Sequence, residues 1–97
     1  MKLELTIQDI VSAGKPFAIA LVTDTDTDAK LTMTIAGTAT KFSIGDKPSS
    51  LEHTVTLMDI GAKLLAVHDY GAANVGDKLV MKLTAGTDSD SDECDLR

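Results

Sequence analysis

Ninety-seven residues, 43% apolar and 25% charged, suffice for one domain with one core and exclude a disordered chain. The net charge of −6 is uneven: residues 86–97 hold five acidic residues against Arg97, while the other 85 residues hold ten acids and eight lysines. Phosphate backbones are held by clustered Lys and Arg, and no such cluster occurs, which argues against nucleic-acid binding.

The only cysteine, Cys94, leaves no internal disulfide, which fits a reducing compartment. The start, MKLELTIQDI, carries Glu4, Gln8 and Asp9 where a secretion signal needs an apolar run, so synthesis and retention in the cytoplasm are expected. The longest apolar run, Phe17 to Val22, is far short of the roughly twenty residues of a membrane helix.

Leu3, Leu5 and Ile7 alternate with Lys2, Glu4, Thr6 and Gln8, the period-two pattern of a strand with one buried face. SAGKP (12–16) is a turn. PFAIALVT (16–23) is apolar on both faces, with Phe17, Ile19 and Leu21 on the large side and Ala18, Ala20 and Val22 on the small side. After the polar DTDTDA (24–29), AKLTMTIAG predicts a strand with Leu31, Met33 and Ile35 inward and threonines outward. TATKFSI (38–44) resumes alternation, and IGDKPSS (44–50) is a loop. LEHTVTLM (51–58) alternates Leu51, His53, Val55 and Leu57 with Glu52, Thr54, Thr56 and Met58.

In AKLLAVHDY (62–70) the charges bracketing Lys63, Leu65, Val67 and Asp69 predict Leu64, Ala66, His68 and Tyr70 as the inward set. A one-residue slip would exchange every assignment. After GAANVGD, KLVMKLTA places Leu79, Met81 and Leu83 inward. Two adjoining strands, AKLLAVHDYGAANVGDKLVMKLTA (62–85), are the expected centre of the sheet. The final GTDSDSDECDLR (86–97) reads as an acidic tail, either solvated or ordered by a neighbouring basic surface.

About seven short strands with turns every eight to twelve residues predict an all-β, antiparallel Greek-key β-sandwich of immunoglobulin-like type over residues 1–85, followed by the tail. The order of G-K-P turn, apolar strand, Asp-rich loop, Thr-rich strand and Tyr-Gly loop resembles fibronectin-type and transglutaminase C-terminal modules. The Cys…Trp…Cys signature of antibody domains is missing.

Asp24, Asp26 and Asp28 alternate as at the start of an EF-hand calcium loop, but the sixth position is Ala29 and the twelfth Ile35, where glycine and glutamate are required. A calcium site in an inter-strand loop is the alternative reading, with carbohydrate disfavoured because Phe17, Phe42 and Tyr70 are the only aromatics and no Trp is present. The simpler reading is a solvated turn. His53 and His68 lack metal-ligand spacing. Ser12, Ser43, Ser49 and Ser50 could each be drawn beside a histidine, but no G-x-S-x-G elbow or phosphate loop accompanies them, so no enzyme and no cofactor are expected.

A small disulfide-free sandwich of this kind also resembles bacteriophage capsid decoration (cement) proteins. That resemblance implies a structural protein bound to the outside of an assembled shell, on the virion surface. The implied partner is the major capsid protein or further copies of the chain in an oligomer. Ala18, Ala20, Val22, Leu65 and Val67 are the expected contact residues, with the N-terminal strand as an edge for strand addition.

Overall fold

The computed structural model describes residues 1–71 and 73–97; Ala72, within the expected GAANVGD loop, lies outside the described residues. The described chain is all strand and turn, without helix. Seven long strands and two of two residues form two packed antiparallel sheets: β1 (Leu3–Ile7), β2 (Phe17–Thr23), β3 (Thr27–Ile35), β4 (Thr38–Ala39), β5 (Ser43–Ile44), β6 (Glu52–Leu57), β7 (Lys63–His68), β8 (Lys78–Ala85) and β9 (Asp88–Asp95). One sheet runs β1-β2-β7-β5. In the other, β3 pairs β8 on one edge and both β6 and β4 on the opposite edge, and β9 follows β8. Among the long strands, the first, second and fifth therefore face the third, fourth, sixth and seventh. Immunoglobulin sandwiches likewise set A, B and E against C, F and G, but they carry the fourth strand beside E, whereas here the fourth long strand, β6, pairs β3 in the other sheet.

The alternation expected in β1, β3, β6 and β8 is realised. Leu3, Leu5, Ile7, Leu31, Met33, Ile35, Val55, Leu57, Leu79, Met81 and Leu83 all lie in the core between the sheets, while Leu51, which shares the parity of Val55 and Leu57 but precedes β6, is exposed. Aliphatic residues supply most of the packing, and Phe42 and Tyr70 are the largest fully buried side chains. Two-residue turns set two of the hairpins. Ala36 and Gly37 both have positive φ between paired Ile35 and Thr38, and Gly86 (φ 61) opens the turn between paired Ala85 and Asp88.

Three expectations are corrected. TATKFSI is not one strand. Its first residues extend the hairpin on β3, then the chain crosses to the other sheet as β5, anchored by mutual Phe42–Ser50 backbone bonds of 3.1 and 3.0 Å.

The inward face of β7 is the reverse of the expected one. Phe17, Ile19 and Leu21 stand opposite Val67, Leu65 and Lys63, and directly paired residues share a face, so the buried side of β2 fixes Val67 as core. Tyr70 is still buried, because Asp69 adopts a left-handed backbone (φ 51) that turns the chain by one position.

The boundary at 85/86 falls inside a hairpin. Residues 88–95 are a full strand paired with β8, and Leu96 is 1% exposed.

The two ends of the chain lock together. Asp90 and Asp92 accept the Leu5 and Ile7 backbone N–H groups through their carboxylates, both at 2.8 Å, and the Met1 ammonium lies 4.0 Å from Asp88. Each step of two residues along β1 matches a step of two along β9. The aspartates thus stand where the carbonyls of a parallel strand would be and close the sandwich on that side. Beyond them, Arg97 donates its N–H to the Val11 carbonyl and accepts from Ala13 N–H, while Leu96 is bonded to Gly76 and Asp77. The Tyr70 hydroxyl reaches the Ser12 and Lys15 carbonyls at 3.1 and 2.5 Å, and its ring meets Phe17 edge-on at 5.4 Å. A tyrosine at this corner commonly ties to backbone just upstream in immunoglobulin sandwiches; here it ties to the β1–β2 loop instead. Burial pushes the Tyr70 hydroxyl pKa up, so the donor stays protonated.

Candidate binding face

The outer face of the β1-β2-β7 sheet is built from the small side of β2. Ala18 is exposed, and Ala20 and Val22 are half-buried. Register places Ala66 opposite Ala18 and Leu64 opposite Ala20, with Glu4 and Thr6 beside Val22 and Ala20 on β1. Leu64 is 73% exposed and stands as the one large side chain on an alanine floor. Next to it lies a shallow depression of about 310 Å³ lined by Thr6, Gln8, Asp9, Ala18 and Ala20. Gln8 is fixed there, accepting from Ala18 N–H at 2.8 Å and donating to the Ile10 carbonyl at 2.7 Å.

Of the five expected contact residues, Ala18, Ala20 and Val22 thus share this face. Val67 is buried at 0% exposure, and Leu65 is half-buried against the core, so neither belongs to it. The pair that replaces them, Leu64 and Ala66, was legible only through the register with β2.

Charged side chains blunt two of the edge strands, β1 and β6. On β1 the outward N–H groups of Leu5 and Ile7 are taken by Asp90 and Asp92, so the N-terminal strand is not the open augmentation edge expected from sequence. On β6 the Thr54 and Thr56 carbonyls accept from the Lys47 and Lys63 ammoniums, both at 3.1 Å. Such capping discourages edge-to-edge pairing and leaves the sheet faces as contact surfaces. A second apolar spot lies at the β6–β7 turn. Ile60, 85% exposed, and Met58, 50% exposed, border a depression of about 350 Å³ with Thr56, Ala62 and Lys63.

The three alternating aspartates do not converge. Asp24 accepts from Lys2 N–H at 2.7 Å, Asp26 from Asp59 N–H at 2.8 Å, and Asp28, already within β3, from the Thr56 hydroxyl at 2.9 Å. The Lys2 N–H, first among several donors, lowers the Asp24 pKa. Among the described residues no group of three or more His, Cys, Asp or Glu side chains is placed to hold a metal ion.

The two histidines have separate partners. His53, buried on β6, contacts the Phe42 carbonyl at 2.5 Å and meets the Phe42 ring edge-on at 4.7 Å. His68 contacts the Gly45 carbonyl and the Asp69 carboxylate. Neither ring is bonded to a serine hydroxyl among the described residues. Cys94 is half-buried on the inner side of β9. Burial, then Asp92 and Asp95, push its thiol pKa up, which disfavours the reactive thiolate.

Searches against protein-family models, curated proteins and solved structures find no match. The strand order therefore places the fold, and the chemistry of the surface is the guide to function. No helix is long and apolar enough to cross a membrane among the described residues.

Proposed function

We propose that this chain is a non-catalytic structural protein that adheres to a larger protein assembly, and specifically that it decorates the outside of a viral (phage) capsid. The observation that carries the reading is Leu64, a large aliphatic side chain left 73% exposed on a flat field of Ala18, Ala20 and Ala66. Flat faces of small residues admit close approach of a partner surface, and burying one leucine contributes about 2 kcal/mol. The capped edges support contact through a face rather than through added strands.

The test is co-sedimentation with assembled capsid shells. Leu64→Asp is expected to abolish co-sedimentation while leaving the thermal midpoint within about 2 °C, because an exposed substitution changes stability little. Loss of binding through Ile60→Asp but not Leu64→Asp would move the contact to the β6–β7 turn. Recovery of the unaltered protein only as free monomer would overturn the capsid reading.

A further inference from the structure

Residues 40–51 form the strap that leaves one sheet after β4, joins the other as β5 and returns as β6. Beyond the two register pairs with β7, imidazoles from both sheets hold it. His53 on β6 bonds the Phe42 carbonyl, and His68 on β7 bonds the Gly45 carbonyl through Nε2 at 2.7 Å. A carbonyl can only accept, so each of these ring nitrogens is a donor.

His68 differs from His53 in its second nitrogen. Its Nδ1 lies 3.0 Å from an Asp69 carboxylate oxygen, another group that only accepts when ionised. A neutral imidazole carries a single N–H and satisfies one of these two acceptors. It turns a lone pair toward the other. Only the imidazolium donates to both. The charged residues of the strap and of β7 are Lys41, Asp46, Lys47 and Lys63, and the charged group that His68 contacts is Asp69, which follows it in the chain.

We propose that His68 is a proton-operated staple: as imidazolium it ties the Gly45 carbonyl to Asp69 and holds the strap on β7, and loss of its proton loosens the strap. This inference stands apart from the capsid reading, since it concerns only how β5 is held. The Gly45 carbonyl, then Asp69, raise the His68 pKa above its ordinary 6.5. A raised folded-state value means that the stabilisation is fully present below 6.5 and is lost as pH rises through the folded value.

The test is an NMR titration of both histidine rings, combined with amide hydrogen exchange corrected for base catalysis. Gly45 is the reporter, because its N–H donates to the Ala66 carbonyl at 3.0 Å and joins strap to strand. His68 is expected to titrate above 6.5, and the protection of Gly45 to fall several-fold across that same transition while amides of β3 and β8 stay protected. Asp69→Asn keeps a residue that tolerates the left-handed backbone but removes the charge. It is expected to move both the His68 midpoint and the loss of Gly45 protection to lower pH. A His68 midpoint at or below 6.5, or Gly45 protection unchanged through the His68 transition, would overturn the proposal.

Discussion

Ending the chain after Ala85 is expected to abolish cooperative folding, although the twelve residues removed are the most acidic in the sequence. The truncation deletes β9 and with it the whole outer ladder of β8 from Lys78 to Ala85. It uncovers the core beside Leu96, and burial losses of this kind cost about 2–5 kcal/mol for a leucine-sized side chain. The Leu5 and Ile7 amides lose their carboxylate acceptors, and Val11 and Ala13 lose their backbone partners in Arg97. Small domains have only about 5–15 kcal/mol in hand, so the sum is expected to leave no folded state. Circular dichroism and urea denaturation check it. A milder variant separates the carboxylates from the strand: Asp90→Ala with Asp92→Ala is expected to cost about 2–4 kcal/mol, since each change removes a charged acceptor from a backbone donor. A truncated chain that melts cooperatively near the full-length midpoint would show that residues 86–97 are an appendage.

Val67→Asp and Ala66→Asp, one residue apart, are expected to differ by more than about 3 kcal/mol in urea denaturation. Val67 is fully enclosed between the sheets, and a carboxylate placed there has no donor and no counter-ion, a burial that costs several kcal/mol. Ala66 faces solvent on the outer side of the same strand, where substitutions usually stay within about 0.5 kcal/mol. The reverse ranking would mean that β7 pairs with β2 one residue out of the register found.

These two contrasts mark where the sequence stops being readable. In β1, β3 and β8 one parity is apolar and the other polar but for Val80, so periodicity settles both element and face. In β7, KLLAVH offers apolar residues on both parities. Its face is then decided by a neighbour, through Phe17 opposite Val67, and cross-strand pairing is not written in a local window.

The last strand was hidden for a different reason. Five acidic residues in twelve suggest repulsion and solvation, yet their spacing is also strand spacing. Asp88, Asp90, Asp92, Cys94 and Leu96 share one parity, and the last two are apolar. That parity faces β1, where unpaired N–H groups neutralise the argument from repulsion by supplying donors.

The outer face was half legible. Ala18, Ala20 and Val22 follow from the small side of β2, whereas Leu64 and Ala66 required the register. Of the strap, the loop after Ile44 was legible from Gly45, Asp46 and Pro48, whereas the change of sheet was not, because a segment that switches sheets in two-residue steps leaves no period to detect.

The central claim is that the acidic C-terminal segment is the closing strand of the sandwich, and residue-resolved amide hydrogen exchange tests it most directly. The β9 amides that face β8 should exchange as slowly as those of β8 itself, and the Leu5 and Ile7 amides should be protected although β1 lies at a sheet edge. Exchange at unstructured-chain rates throughout residues 86–97, with Leu5 and Ile7 equally unprotected, would contradict the account.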